Sequence, residues 1–407
     1  MEWQLKTMAD IAEPVNGIVD GPFGSNLKKS DYIDDSENGI PVLTTKNLHG
    51  DYSKDSVRYI SKEKYEVIKR STVYPGDILV AKIGSIGTCG IYPLSCKNAL
   101  IPANLLKITV LPTVDRKYVY YYIQSKGFQE KIKAISTATA QPAFNVTKFR
   151  KLPIPTPLLP EKERIVARIE ELFSQLDAGV ETLKKTKAQL AVYRQAVLKE
   201  AFESVIPESD TCNVEDVCKD IKVGIVIKPA QYYTSADVGV RAFRSANVRE
   251  FAVNDSDWVY LTKAGHEANL RSEIHTGDVL VVRSGYPGTA CVVPPTYNGC
   301  NAIDILIAVP YAEKILPEYL CAYTNSPLGK RIIQEKKRGV AQAHFNVSGY
   351  SKTPIIVPCL ETQKRVVAEI DSRLSVCDSI EQTVDAALQQ AEAMRQSILK
   401  DAFEGRL

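Results

Sequence analysis

The sequence lacks several features that would point to whole classes of protein. No apolar run approaches the about 18 residues of a membrane-spanning helix, and the first ten residues, MEWQLKTMAD, contain no apolar signal core. The nine cysteines form no CxxC pair and the four histidines are scattered, which favours reduced, partly buried thiols over a metal site. These absences predict a cytoplasmic protein that holds no metal ion and crosses no membrane.

Motifs for the common DNA-modifying chemistries are missing as well. An adenine methyltransferase needs an Asn/Asp-Pro-Pro-aromatic loop that holds the flipped base, and the nearest segment, VPPTY at 293–297, lacks the amide or carboxylate. The glycine turns at 84–87 and 285–288 lack the GxGxxG spacing, and no GxxxxGK[ST] is present. We interpret Asp77 and Asp278 as turn caps rather than as part of a magnesium nuclease. The sequence therefore predicts no catalytic residue.

The sequence also has little excess of one sign of charge over the other. The net charge is only +3 over 407 residues, which argues against a protein that coats nucleic acid by charge alone. The distribution is uneven, because residues 1–150 carry a net +5 and residues 204–351 a net −1. A small positive face remains compatible with these counts.

The strongest positive signal is an internal repeat. The segment KLPIPTPLLPEKERIVARIEELF, which begins at Lys151, aligns without a gap with KTPIIVPCLETQKRVVAEIDSRL, which begins at Lys352, an offset of 201 residues. The same offset relates YPGDILVAKIGSIGT (74–88) to HTGDVLVVRSGYPGT (275–289) and AQPAFNV to AQAHFNV, and an offset of 200 relates GIPVLTTKNL to GVRAFRSANV. The chain is a duplication, and each copy is a domain of about 150 residues followed by a helix.

Each copy is predicted to end in a long helix. Apolar residues recur every seven positions from Ile169 to Val197, the pattern of helix-on-helix packing. The proline-rich stretch 153–160 is expected to precede the first helix, and Pro207 to block its continuation. Each helix would have about 42 residues and a length of about 63 Å.

The remaining segments indicate a mixed, strand-rich α/β fold. Strands are predicted at 77–80, 105–110, 278–281 and 305–309, and helices at 118–132 and 319–333. The predicted fold class is mixed α/β, with two similar strand-rich domains separated by two long helices. The predicted boundaries are 1–152 and 205–353 for the two globular domains, and 153–204 and 354–407 for the two helices.

The connections predict how the helices pair. The first helix runs into the second domain and the second helix leaves from it, so the helices are expected to form an antiparallel coiled coil. The domains would then lie at opposite ends, related by an approximate two-fold axis within one chain. A two-headed molecule with a rigid spacer fits two separated half-sites on one DNA duplex.

The motifs GPFGSNLKKSDY, PGDILVAKIGSIG, LPIPTPLLPEKERIVARIEELF and LKDAFEG resemble the specificity subunit of type I restriction-modification systems, over essentially the whole chain. The resemblance implies two target recognition domains that read a split double-stranded DNA sequence and spacer helices that carry methyltransferase subunits, two in number, with restriction subunits joining them. It implies no catalytic activity in this chain and no cofactor of its own. S-adenosylmethionine, ATP and Mg²⁺ would belong to the partner subunits.

The repeat also suggests which residues contact DNA. Positions that differ between matching loops are expected to read different sequences, since phosphate contacts position a protein and base-edge contacts specify the sequence. The identical pairs Phe144-Asn145 and Phe345-Asn346 are interpreted as structural. For each selected residue, a solvated loop position is the alternative interpretation. The predicted DNA contacts are Ser25, Lys28, Lys29, Thr45, Lys46, Lys82, Ser85 and Gln141 in the first domain, and Tyr232, Arg244, Ser245, Arg283, Tyr286, Gln342 and His344 in the second.

Two other functions stay open at this point. One is a self-contained DNA modification enzyme of unusual sequence, which the missing motifs disfavour. The other is a coiled-coil assembly scaffold without DNA contact. A scaffold gives no reason for loops to diverge inside a well-kept repeat, so a non-catalytic DNA-binding subunit is the leading hypothesis.

Overall fold

The computed structural model describes residues 3–24, 26–34, 37–137, 141–206, 209–338 and 345–407. The chain divides into two compact units, one made of Met1–Leu183 with Ala386–Leu407 and the other of Lys184–Asp385. Each unit contains one strand-rich domain and part of each of two long helices. The predicted domain boundaries remain a prediction, because this division cuts through both helices.

The first unit contains eleven strands and four short helices among its described residues, before the first long helix. The strands are β1 (Gln4–Thr7), β2 (Ile18–Asp20), β3 (Tyr32–Ile33), β4 (Ile40–Val42), β5 (Arg58–Ile60), β6 (Thr72–Val73), β7 (Ile78–Ala81), β8 (Cys89–Ile91), β9 (Ala99–Leu100), β10 (Leu105–Ile108) and β11 (Pro153–Thr156). The helices are α1 (Lys62–Ile68), α2 (Arg116–Gln124), α3 (Lys126–Ala134) and α4 (Val146–Arg150), and the long helix is α5 (Leu159–Glu203).

The second unit follows a similar order, with twelve strands among its described residues. Its strands are β12 (Asp210–Asn213), β13 (Cys218–Val223), β14 (Tyr233–Thr234), β15 (Val240–Phe243), β16 (Val248–Arg249), β17 (Ala252–Val253), β18 (Val259–Leu261), β19 (Val279–Val282), β20 (Ala290–Val292), β21 (Asn301–Ala302), β22 (Ile305–Pro310) and β23 (Pro354–Val357). Its helices are α6 (Val214–Val217), α7 (Lys263–Glu267), α8 (Pro317–Asn325), α9 (Pro327–Arg338) and α10 (Val347–Ser351), followed by the long helix α11 (Leu360–Phe403).

The sheets of the two units match strand for strand in their central part. The order β2-β10-β7-β8 in the first unit corresponds to β13-β22-β19-β20 in the second, and the pair β1-β11 corresponds to β12-β23. The central strands β7 and β19 are apolar throughout and fully buried, as expected of strands covered on both faces. The predicted mixed α/β class is confirmed.

Two predicted helices are each broken in two. The segment 118–132 falls into α2 and α3, which meet at Ser125, and the segment 319–333 falls into α8 and α9, which meet at Ser326. Both serines have extended backbone, with ψ of 142° and 158°. The Ser125 hydroxyl accepts from Phe128 N and the Ser326 hydroxyl from Gly329 N, so each serine ends one helix and caps the next.

The starts and ends of other elements also differ from the prediction. Helix α5 begins at Leu159, inside the proline-rich stretch, because Pro160 in the first turn needs no intrahelical N–H bond. Its 45 residues exceed the predicted length. Strand β10 ends at Ile108, two residues earlier than expected.

Within each unit the two long helices are packed antiparallel. In the second unit Lys187 pairs with Asp385 at 2.7 Å, and Glu200 pairs with Arg373 at 2.7 Å. Residue numbers that increase along α5 are therefore matched by numbers that decrease along α11. In the first unit Arg395 pairs with Asp177. The antiparallel prediction is thus confirmed within each unit. In the part of the chain that the structure describes, no helix is both long and apolar enough to cross a membrane.

Asn145 and Asn346 explain why the Phe-Asn pair is identical in both copies. The Asn145 side chain accepts from Thr147 N at 2.7 Å and caps α4, and the Asn346 side chain accepts from Gly349 N at 2.8 Å and caps α10. Each preceding phenylalanine is buried. The pair therefore has a structural role.

We expect Asn346→Ala to lower the free energy of unfolding of its domain by about 1 kcal/mol, because the cap bond to Gly349 is lost. Asn346→Asp keeps the acceptor and is the control. Urea denaturation with hydrogen exchange of the α10 amides measures the effect. An alanine variant as stable as the aspartate variant would show that the cap contributes nothing.

Candidate DNA interface

In the first domain, the backbone joins two of the predicted loops. Strand β7 leads into the turn 82–88, where Gly84 has a φ of +81°, a conformation that glycine adopts without steric cost. Gly84 N donates to Pro142 O, and Phe144 N donates to Lys82 O. These bonds place the loop of Lys82 and Ser85 beside the loop of Gln141. The predicted Ser25 lies outside the described residues.

The Lys82 side chain is more deeply buried than expected of a lysine that binds a DNA phosphate. It is only 6 % exposed. Its ammonium lies 2.6 Å from Asp20 Oδ2 and 5.3 Å from the centre of the Phe23 ring. The side chain thus ties this turn to the segment of Asp20 and Phe23, and a DNA phosphate would share its charge with Asp20.

A cleft of about 540 Å³ opens beside this pair. Its walls include Phe23, Arg70, Lys82 and Arg150. Three cations and one carboxylate, Asp20, line this cleft, a local excess of positive charge that the net charge of the chain does not reveal. Such a surface suits the phosphates of a nucleic acid.

The remaining predicted residues of the first domain lie on two further turns. Lys28, Lys29 and Lys46 are exposed, and Thr45 is half-buried. The turn that carries Thr45 and Lys46 is fixed by Asn47, which is fully buried and accepts from Thr44 N. Gln141 and Ser85 are exposed.

Asn47 and its counterpart Asn247 are positioning residues that the sequence analysis missed. Asn247 is likewise fully buried and accepts from Arg244 N at 3.0 Å. Both asparagines stand at the same place in the repeat. Their identity in both copies was the signal that could have identified them.

In the second domain, two predicted residues share one cleft. Ser245 and Tyr286 line a space of about 950 Å³, together with Arg249 and Lys330. Tyr286 is 86 % exposed. It follows Gly285, whose φ is +81°. A rigid turn therefore presents this ring to solvent at the edge of the cleft.

The two predicted arginines of this domain are paired with carboxylates. Arg283 lies 3.2 Å from Asp304, and Arg244 lies 3.0 Å from Asp257 Oδ2. Arg283 occupies the place of Lys82 in the repeat, so both domains keep a paired cation there. One nitrogen, Nε, of each arginine is buried without a hydrogen-bond partner.

Tyr232 does not line this cleft. It is half-buried and packs with Ile225, Ala242 and Leu261, and a side chain at Gly265 would collide with it. This environment favours a structural role over DNA contact. The predicted Gln342 and His344 lie outside the described residues.

Among the residues that the structure describes, no three His, Cys, Asp or Glu side chains come together as metal ligands.

Comparison with known proteins places these domains in context. Residues 2–191 match the family model described as type I restriction modification DNA specificity domain. The chain is 23% identical to the type I restriction enzyme EcoBI specificity subunit of Escherichia coli, over all of this chain and 86% of that protein. It is thus similar along its whole length to a curated specificity subunit.

Solved structures show the same fold. A structure from a study of complex assembly and conformational transition of the type I R-M system has a TM-score of 0.73 at 16% identity, and covers 100% of this chain and 98% of that chain. The HsdS subunit from Thermoanaerobacter tengcongensis has a TM-score of 0.50 at 15% identity, with 100% and 97% covered. Full-length similarity in sequence and in fold agrees with the duplication of recognition domain and helix. The chain belongs to the family of type I restriction-modification specificity subunits, as a DNA specificity subunit that is not itself catalytic.

Proposed function

We propose that each recognition domain reads one half of a split double-stranded DNA target, and that the paired helices set the spacing between the halves. The observation that carries this proposal is the repeated loop pair around Lys82 and Arg283. Both domains keep the paired cation and the glycine turn there, while the exposed residue of the turn is Ser85 in one and Tyr286 in the other. Turns that share their backbone but differ in their exposed side chain suit the reading of two different half-sites.

The residues that we propose to contact DNA fall into two groups. Exposed Lys28, Lys29 and Lys46, with the cleft cations, supply contacts to phosphates. We propose that the second group reaches base edges: Thr45, Ser85, Gln141, Ser245 and Tyr286. Lys82, Arg244 and Arg283 are placed to contact DNA only while shared with their carboxylates, and Tyr232 contributes to the shape of its domain. The predicted contacts at Ser25, Gln342 and His344 stay predictions.

We also propose that the long helices dock two methyltransferase subunits and that restriction subunits join the same complex. S-adenosylmethionine, ATP and Mg²⁺ would then be bound by those partners. The ion pairs that join the helices leave their outer faces for such partners. This assembly would act on cellular DNA, and the cytoplasmic location stays a prediction.

Methylation mapping tests the proposed function. The full chain is expressed with a methyltransferase subunit of the same system, and all methylated positions in the cell's DNA are determined. We expect one motif with two specified halves and an unspecified gap between them. A single continuous motif would contradict the two-headed reading, and no methylation that depends on this chain would contradict a role in specificity.

Tyr286→Ser, which copies the residue of the first domain, is expected to change only one half of that motif. Loss of a large exposed ring removes an apolar contact with a base edge, such as a thymine methyl group, at about 1–3 kcal/mol of discrimination. Methylation mapping of the variant measures the change. Tyr233→Ser, at a tyrosine that is 40% exposed outside the cleft, is the control. An unchanged motif would exclude Tyr286 from base reading.

A further inference from the structure

An exposed apolar side chain stands in the same loop of both domains. Phe23 is 67% exposed, and in the corresponding loop Val226 is 49% and Ile227 78% exposed. Each loop leaves the first strand of the four-stranded sheet, where Gly21 N donates to Leu105 O and Gly224 N donates to Ile305 O. Single exposed apolar residues are common on protein surfaces. Their repetition at one place, with different side chains, is what calls for an explanation.

Both loops abut the paired cation that the two domains share. In the first domain the Lys82 ammonium contacts Asp20, three residues before Phe23, and lies over the Phe23 ring. In the second domain Asp304, the partner of Arg283, donates through its backbone N to Ile225 O at 3.1 Å. The exposed apolar group thus stands next to the loops proposed to read DNA in both domains.

The loop backbones are held by local hydrogen bonds. Asn26 N donates to Phe23 O at 2.8 Å, and Gln231 N donates to Lys228 O at 3.2 Å. Lys228, directly after Ile227, has a φ of +43°, a left-handed conformation that costs a non-glycine residue energy and is concentrated at functional sites. The chain therefore maintains a fixed projection of Ile227 at an energetic cost.

The charges around the loops identify the kind of partner. Arg70 and Arg150 line the cleft that contains Phe23 and Lys82, and Lys228 beside Ile227 is exposed. An apolar tip with positive charge beside it suits a polyanion whose interior is apolar. Stacked base pairs between two phosphate backbones have this character.

We propose that Phe23 and Ile227 are wedges that insert between neighbouring base pairs, one in each half-site, and unstack them. Each domain would then read how easily its half-site deforms, in addition to reading base edges. The cleft cations beside Phe23, and Lys228 beside Ile227, would hold the phosphates of the opened step. This inference rests on the proposed function, because it requires that both domains contact DNA.

The test uses the full chain in complex with the methyltransferase subunit, and a duplex of the target that methylation mapping identifies. 2-Aminopurine, which fluoresces more strongly when unstacked, replaces one purine at a time along each half-site. Dyes at the two duplex ends report bending by energy transfer. We expect fluorescence to rise several-fold at one step in each half-site, and the duplex ends to approach each other.

Phe23→Ala is expected to abolish the fluorescence rise in the first half-site only, and Ile227→Ala in the second only. Binding should weaken about 10- to 100-fold in each case, since the apolar contact of a whole side chain is lost. Phe23→Leu keeps an apolar wedge and should retain most of the signal. Val67→Ala and Leu270→Ala, at side chains that are 78% and 54% exposed elsewhere, are matched controls and should change nothing.

The outcomes separate this inference from the proposed function. If the wild-type complex fails to bind the split target, the proposed function fails with it. If the complex binds but no step unstacks, or if the alanine variants unstack and bend the duplex as the wild type does, the wedge is wrong while two-headed reading stands. Unchanged hydrogen exchange of the variants, expected for exposed positions, excludes misfolding as the cause of a lost signal.

Discussion

Asp77→Asn is expected to lower the free energy of unfolding of the first recognition domain by about 3–5 kcal/mol, the usual cost of breaking a buried ion pair. Asp77 Oδ2 lies 3.3 Å from Lys107 Nζ, and both side chains are only 3% exposed. Without the carboxylate, the ammonium keeps only the Thr109 hydroxyl at 3.0 Å and the Tyr74 ring, whose centre lies 4.9 Å away. Neither neutral group replaces the lost charge.

The loss should depend on pH. Burial lowers the pKa of Lys107, and Asp77 opposes this effect. In the asparagine variant the opposition is gone, so the folded protein holds the Lys107 proton less tightly than the unfolded chain, whose lysine pKa is about 10.4. Stability rises with pH wherever the unfolded state binds more protons. The variant should therefore recover part of the loss as the pH rises towards the lysine pKa of the unfolded chain, about 10.4.

The second domain supplies the matched control. Asp278 caps the same turn, accepting from His275 N at 2.8 Å as Asp77 accepts from Tyr74 N at 2.9 Å. The buried lysine is not repeated beside it, because Ile307 takes the place of Lys107 in the register with the preceding strand.

Burial raises the pKa of Asp278, against the lowering effects of the His275 backbone bond and of the charges of His275 and Lys222; the nearby Asp220 raises it further. Between the unfolded pKa and this raised value the folded state binds more protons, so the ionised carboxylate costs stability as pH rises. Asp278→Asn keeps an acceptor for the turn and removes that cost. We expect it to be neutral or slightly stabilising at pH 7.

Hydrogen exchange of β7 and β10 amides for Asp77→Asn, and of β19 and β22 amides for Asp278→Asn, measures each domain separately. The expectation is a large loss in the first pair of strands and none in the second. Equal losses would mean that the turn bond, and not the ion pair, determines stability at this position.

These two aspartates also show what the sequence could predict. Their role as turn caps follows from the Gly-Asp turn before an apolar strand, and the structure confirms it. The pairing with Lys107 does not follow, because only one copy has the lysine and the repeat gives no second instance to compare.

The sequence also does not predict the carboxylates that pair with the cations proposed to contact DNA, for a related reason. Lys82 and Arg283 are equivalent in the repeat, but Asp20 precedes Lys82 by 62 residues while Asp304 follows Arg283 by 21. The same charge arrangement is reached from non-equivalent positions, so an alignment of the two copies cannot reveal it. The serine breaks at Ser125 and Ser326 were masked by apolar spacing that continues through them.

The alternatives that the sequence left open are now narrower. Membership in the specificity-subunit family excludes the hypothesis of a self-contained modification enzyme. A role in DNA specificity also accounts for loops that differ between the two copies of the repeat. Aromatic contacts near the ends of the long helices attach each recognition domain to them.

Phe202→Ala is expected to destabilise the second domain and its helix junction by about 3–5 kcal/mol, as truncation of a buried phenylalanine does. Phe202, near the end of α5, is 1% exposed. Its ring lies 5.3 Å from the Tyr319 ring and 5.2 Å from the Tyr323 ring. The hydroxyls of these tyrosines donate to Ile356 O and Pro354 O of β23 at 3.0 Å.

Through these hydroxyl hydrogen bonds, Phe202 also positions strand β23, because its ring packs against both tyrosines. Burial raises the pKa of Tyr323 to about 12, so its hydroxyl stays a donor at neutral pH. Loss of the ring between the two tyrosines loosens both, and with them β23, the strand that leads into α11. The variant should therefore weaken the attachment of the domain to both long helices at once.

Phe403 occupies the equivalent place in the first unit, between the rings of Tyr118 and Tyr122 at 5.2 and 5.1 Å. It is half-buried, so Phe403→Ala should cost less. Phe202→Leu fills most of the space and should cost less than either alanine. Urea denaturation with hydrogen exchange of the β23 amides gives the ranking.

A functional consequence follows if the helices set the spacing of the target. A domain that is loosely attached to its helix should accept half-sites at more than one separation, so methylation mapping of Phe202→Ala at a temperature where it stays folded should show motifs with gaps one base pair longer or shorter. Tyr193→Ala, at a half-exposed tyrosine on the same helix, should keep the single gap. If Phe202→Ala is destabilised but its motif keeps a single gap length, the attachment of the domain to its helix does not define that length. The partner subunits would then set the distance between the half-sites.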